Sequence, residues 1–294
     1  MHFNIKPHTT HLKIKNSFKF TIFFIAAQAI NTPATAEFSA KNACKATSSA
    51  NITPVVELYT SEGCSSCPPA DKWLSTLKSK TATTASSTAA TNPAANPSAS
   101  TPVIQAFHVN YWDYIGWPDR FATPAHTNRQ RQISAWNKQN GIYTPQMVLN
   151  GQDWRGWGGS SRHVTASTSS SELAKASISM QQTGADQFEA VVSPVVLTGS
   201  GANNAPTNWS AYWTITEHGH VTKVKAGENS GETLLHDYVV RQYTPVGDYS
   251  ASTPQKLSLR GVAATPGHER QVNLVVFDPK TGKTLQAVSA NCSS

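Results

Sequence analysis

Three things are scarce in this sequence, and each scarcity removes a class of function. Beyond residue 30 there is no apolar run that could cross a membrane, which takes roughly 20 such residues in succession, so no permanent membrane anchor is expected. After residue 36 there is no cluster of Lys and Arg interleaved with aromatics, so a nucleic-acid partner is not expected. Cysteine is rare, four residues in 294. No His-x-His or Glu-x-x-His spacing joins a histidine to those cysteines, and His108 and His126 read as isolated structural residues, so no metal is expected from spacing.

What is present begins with an export signal. Lys6, Lys13, Lys15 and Lys19 form a positive segment with no acid in it, Phe18 to Ile30 is an apolar run of signal-peptide length, and Ala34-Thr35-Ala36 supplies a small-x-small cleavage pattern. Cleavage before Glu37 takes away four lysines and no acids, so the formal charge of +7 becomes +3. An even number of cysteines fits an oxidising compartment, periplasmic or secreted. Four cysteines allow three pairings. Spacing favours Cys64 with Cys67, which leaves Cys44 with Cys292, near the two ends of the mature chain, as a structural staple.

The chain then divides by pattern. Residues 37–51 are a small, polar lead-in, and Val55 to Tyr59 reads as a buried strand ending in the turn-forming Thr60-Ser61-Glu62-Gly63. Asp71 to Lys78 has one apolar helical face, Trp73, Leu74 and Leu77. Residues 79–100 are Thr, Ala, Ser, Asn and Pro, a low-complexity insertion too polar to offset ordering. Val103 to Val109 is a second strand, followed by the aromatic segment Tyr111 to Trp117, a polar helix over Ala125 to Gln139, and Thr144-Pro145 before a strand that ends at the hairpin signal Asn150-Gly151. Ser171 to Met180 is expected to be a helix that closes a domain spanning 52–185. From Asp186 to the end, short alternating runs separated by turn residues predict a β-rich, sandwich-like domain over 186–294.

Chemistry concentrates at Cys64-Ser65-Ser66-Cys67. A strand running into a helix start places the first thiol near unpaired backbone N–H groups and the positive end of the helix dipole, which favour a thiolate. Strand, dithiol, helix, strand, helix and Thr-Pro in that order resembles the thioredoxin fold, in which a cis proline faces the dithiol; Pro145 stands in that place. The likeness is closer to a family. Val56 to Asp71, Phe107 to Tyr114, Tyr143-Thr144-Pro145-Gln146, and Gly227-Glu228-Asn229-Ser230-Gly231 with His236 resemble the uncharacterised secreted family catalogued as domain of unknown function 1223. That resemblance implies an α/β thioredoxin-like domain followed by a β-rich, sandwich-like domain, and it supplies no established reaction.

These readings assign roles. Cys64, nearer the strand end and expected to be the more exposed of the pair, is the candidate nucleophile, and Cys67 resolves the mixed disulfide. Glu57, on one strand face with Val55 and Tyr59, is either a buried proton relay or an ordinary paired glutamate. Thr144, Pro145, Tyr111 and Trp112 are candidates to line a peptide groove, although aromatics in such loops also cap cores. The first reading is an exported thiol-disulfide oxidoreductase acting on a protein or small-molecule disulfide or thiol, with no cofactor and an unassigned redox partner. The second is a Cu(I)-binding or copper-delivery protein, because a soft thiolate pair before a proline suits that ion. The third is a non-catalytic envelope binding protein. Asn51, Asn208 and Asn291 each begin a glycosylation acceptor pattern.

Overall fold

Strand pairing rather than chain order organises this protein. The computed structural model describes residues 1–2, 43–77, 101–158, 171–196 and 206–292. The expected export signal beyond residue 2, residues 37–42 of the lead-in and the 79–100 insertion lie outside the described residues.

An eight-stranded sheet runs through the molecule in the order β14 (Thr284–Asn291), β13 (Arg270–Phe277), β8 (Asn208–Glu217), β11 (Val239–Ser250), β3 (Val103–His108), β2 (Val55–Thr60), β4 (Gln146–Leu149), β5 (Gln152–Asp153). Its two halves meet where β11 lies parallel to β3, with Val239 opposite Ala106 and the Ala106 amide donating to the Tyr238 carbonyl at 2.8 Å. A second sheet has the order β1 (Lys45–Thr47), β6 (Ala176–Gly184), β7 (Gln187–Pro194), β12 (Gln255–Arg260). A two-stranded ribbon, β9 (His220–Lys223) with β10 (Thr233–His236), completes the strands among the described residues.

Alternation decides which faces are covered. Ala176, Ile178 and Met180 of β6 point inward with Phe188, Ala190 and Val192 of β7, and they pack on Trp209, Trp213, Val272, Leu274 and Val276 of the large sheet. Around β2 and β3 both faces are buried, as the continuous apolar runs imply. One face, with Val56, Leu58 and Ile104, packs on Leu74 and Leu77 of a helix α1 (68–77), and the other, with Val55, Tyr59 and Phe107, packs on Ile133 of α2 (Pro124–Trp136). Helix α2 starts at Thr123, whose hydroxyl accepts the His126 amide, with Pro124 in the first turn, where its missing N–H costs nothing.

Two expectations are corrected by this pairing. The architecture is not an α/β thioredoxin-like domain followed by a β-rich one: strand outweighs helix over the described residues as a whole, and β11, β8, β13 and β14 extend the sheet that β2, β3 and β4 begin. Ser171 to Met180 is not a helix either. Its second half is β6, where Ser177 and Ser179 face out between the buried Ala176, Ile178 and Met180, a period of two that no helix can satisfy. No helix among the described residues is long and apolar enough to cross a membrane.

Candidate functional site

The dithiol lies where β2 ends. The chain turns at 61–66, and α1 begins at Pro68, so the Cys67 carbonyl accepts the first helical amides, from Ala70 at 2.9 Å and Asp71 at 3.2 Å. Cys64 and Cys67 are joined as a disulfide, with 5.4 Å between their Cα atoms. Both residues are fully buried, at 0% exposure, which corrects the expectation that Cys64 is the more exposed; Ser65 and Ser66 form the open rim instead.

Three segments produce that burial. Thr144–Pro145 is a cis peptide bond before β4, and the Thr144 hydroxyl donates to Cys64 Sγ at 3.3 Å. Trp112, on a 3-10 turn over Asn110–Ile115, donates its indole N–H to the Thr144 oxygen at 2.7 Å. Gly63 permits that turn's approach, since a Cβ there would stand 3.1 Å from Trp112 Cβ and 3.3 Å from Ile115 Cδ1. From the far half of the chain, Asn229 Nδ2 donates to the carbonyls of Glu62 at 2.8 Å and Cys64 at 3.0 Å, and the Glu228 carboxylate accepts the Ser65 backbone N–H at 3.1 Å. The Ser65 hydroxyl first, and then that backbone N–H, hold the Glu228 carboxyl below its usual range.

The structure therefore brings Cys64, Cys67, Thr144, Pro145 and Trp112 together. Tyr111 is half-buried, tilts against Trp112 with ring centroids 6.4 Å apart, and packs on the core beside α2. Glu57 is engaged elsewhere. One of its oxygens takes the Arg129 guanidinium at 2.8 Å and the Tyr212 hydroxyl, and the other takes the Tyr59 hydroxyl at 2.8 Å. Burial first, and then the Glu57 charge, push the Tyr59 and Tyr212 hydroxyls well above their usual pKa, so both stay protonated as donors. A carboxylate so occupied ties β2, α2 and β8 together, and none of these hydrogen bonds leads to a cysteine. Cys44 and Cys292 form the second disulfide, packed at the core between the two sheets.

Beneath the dithiol loop lies a cluster that spacing did not reveal. His108 ends β3, His236 ends β10, Asp71 is in the first turn of α1, and Glu62 and Asp119 are in loops; all five are buried. Asp119 Oδ2 is 2.6 Å from His108 Nδ1 and accepts the Glu62 amide at 2.9 Å. Burial opposes ionisation of Asp119, but the His108 charge and these hydrogen bonds outweigh it and hold its pKa at about 2. Glu62 takes the Trp117 indole N–H at 2.8 Å and lies 3.3 Å from His236 Nε2. His236 is disfavoured as a cation by burial, yet Asp71 and Glu62 together raise its pKa to about 9. Among the described residues, Asp71, His108 and His236 are close enough together that they could hold a metal ion. The only sequence signal for His236 was its place in the family motif; Asp119 had none.

A family model described as "Protein of unknown function (DUF1223)" matches residues 55–277. No curated protein matches the sequence. The crystal structure of protein AGR_C_4864 from Agrobacterium tumefaciens is similar, at 22% identity and a TM-score of 0.55, over 83% of this chain and 95% of that one. HBP35 of Porphyromonas gingivalis is similar at 12% identity and a TM-score of 0.51, over 83% of this chain and 76% of its own. At these identities the likeness is one of fold alone.

Proposed function

The chain belongs to the DUF1223 family, whose description names no reaction, and from that premise we propose that it catalyses thiol-disulfide exchange at Cys64 and Cys67 in an exported, periplasmic or secreted, setting. Two disulfides fit an oxidising compartment. The observation that carries the reading is the Thr144 hydroxyl aimed at Cys64 Sγ across the cis Pro145 bond. A hydroxyl donor 3.3 Å from the sulfur stabilises a thiolate more than a thiol, so it selects Cys64 as the sulfur that attacks and leaves.

With the pair reduced, the Cys64 thiolate attacks one sulfur of a substrate disulfide. A Cys64–substrate bond forms, the substrate S–S bond breaks, and the departing thiolate takes a proton from solvent. Deprotonated Cys67 then attacks Cys64 Sγ, which restores the Cys64–Cys67 disulfide and releases the second substrate thiol. Two electrons pass from the protein to the substrate, and a substrate dithiol runs the same steps in reverse. Because Cys64 is buried under the Thr144 and Asn229 contacts, the substrate reaches it from the Ser65–Ser66 rim.

Alanine-for-cysteine chemistry separates the roles. Cys64→Ala is expected to abolish exchange with oxidised glutathione or a model peptide disulfide, and Cys67→Ala to accumulate a mixed disulfide visible by mass spectrometry. A Cys64–Cys67 bond that no glutathione buffer opens, together with no mixed disulfide in Cys67→Ala, overturns the proposal.

A further inference from the structure

We propose that Asp71, His108 and His236 form a buried site for a divalent transition-metal ion with zinc-like ligand preferences, independent of the dithiol chemistry. One ligand atom from each of the three lies within 4.8 Å of the others, and the residues are 8%, 0% and 2% exposed. Four ligands about 2.0–2.1 Å from one ion stand roughly 3.3 Å apart. The 3.9 Å between His236 Nδ1 and Asp71 Oδ1 is too long for a hydrogen bond and close to that ligand separation.

The second observation is what the other atoms of these side chains do. His108 Nδ1 is held at 2.6 Å by Asp119, and the opposite nitrogen, Nε2, is buried and makes no hydrogen bond. Both nitrogens of His236 face carboxylates, Nε2 toward Glu62 Oε1 at 3.3 Å and Nδ1 toward Asp71 Oδ1 at 3.9 Å, and neither contact has the geometry of a hydrogen bond. Asp71 Oδ2 accepts the Thr60 hydroxyl at 2.9 Å, which leaves Oδ1 on the His236 side. His108 thus has a carboxylate at Nδ1 and an unbonded Nε2, and His236 has Glu62 at Nε2 with Asp71 near Nδ1, an arrangement in which outer carboxylates can orient metal-bound imidazoles. Buried polar atoms left without hydrogen bonds destabilise, and a bound ion would relieve that.

Charge and donor type name the class of ion. Glu62, Asp71 and Asp119 place three carboxyl groups around two imidazoles in a buried space, which favours a dication. Two imidazoles with one carboxylate suit zinc or iron(II) rather than magnesium or calcium, which take oxygen ligands. Phe121 walls the site, with ring centroids 5.2 Å from His108 and 5.9 Å from His236. The competing occupant is a proton on His236.

The test uses the full-length protein, stripped with a chelator, and titrates it with Zn2+ and separately with Co2+. One zinc ion per chain is expected, with the Cys64→Ala/Cys67→Ala protein binding as the native one does, and with Co2+ giving visible bands without near-ultraviolet sulfur charge transfer. His236→Gln and Asp71→Asn are expected to weaken binding by at least 100-fold, and Asp119→Asn by about 10–100-fold. If a ligand variant misfolds, the Co2+ spectrum of the native protein and the Asp119→Asn shift still decide. Folded native protein that takes up no zinc, retention in both ligand variants, or a signal lost only with the cysteines each overturns the proposal.

Discussion

Arg129 is a side chain whose loss would leave a charge stranded. It is buried against Glu57 at 2.8 Å and lies 4.1 Å over the Tyr212 ring, so its charge is met by a carboxylate on one side and an aromatic face on the other. Arg129→Met keeps the volume and strands the Glu57 carboxylate; we expect a loss of about 3–5 kcal/mol in urea unfolding, partly recovered in the Arg129→Met/Glu57→Gln double variant. A change below about 1 kcal/mol would show that the pair is not the clamp described. At this scale the sequence was informative where chemistry is local. Cys64 and Cys67 are legible from their spacing, and Thr144-Pro145 from its order relative to them. Asn229 and His236 show only as parts of a family motif and Asp119 not at all, because what each touches is set by folding: Asn229 reaches Cys64 across 165 positions.

Elements were legible where one periodicity prevailed. β2 and β3 stand where their apolar runs predict, and Asn150-Gly151 turns β4 into β5 with both residues in the left-handed region, at φ of 51° and 81°. That turn is also pinned by packing, since a Cβ on Gly151 would stand 2.0 Å from the Gly282 carbonyl oxygen. Gly151→Ala is therefore expected to destabilise by more than about 1 kcal/mol, whereas Gly141→Ala, with open space around it, changes the urea midpoint little. Equal midpoints for the two would contradict the turn's role. Ser171 to Met180 misled because serine and alanine are weak markers of either period. The buried positions 176, 178 and 180 became visible only once β7 lay beside them.

For the whole molecule, the shifted groups define an optimum in pH. Asp119, Glu217 and Asp237 have pKa values of about 2, down from 3.8, 4.5 and 3.8. For Asp119 and Glu217, burial opposes ionisation and is outweighed, by the His108 charge in one case and the His220 hydrogen bond in the other; for Asp237 the His218 hydrogen bond leads. A depressed carboxyl pKa stabilises above the unfolded value, so these contributions fade as pH falls from about 4.5 to 2. His126, lowered by burial from 6.5 to about 4, acts in the same direction, since the unfolded chain takes its proton first as pH falls. His236 acts oppositely: raised to about 9, it stabilises fully below 6.5 and less as pH climbs toward 9. Metal-free protein should be most stable near pH 6.5, with urea midpoints declining on both sides, and a flat profile from pH 3 to 9 would refute this.

The sequence by itself determined the inventory: a closely spaced cysteine pair, a threonine and proline suited to face it, strands and their turns, and membership in a family. Those are properties of neighbours, written in spacing and alternation. Only the tertiary structure decided that strands from the two halves of the chain form one sheet, that Cys64 is roofed by a loop from the far half, and that Asp71, His108 and His236 share a buried space. Such juxtapositions depend on β-strand pairing between distant segments, and no local pattern records which strand will lie beside which.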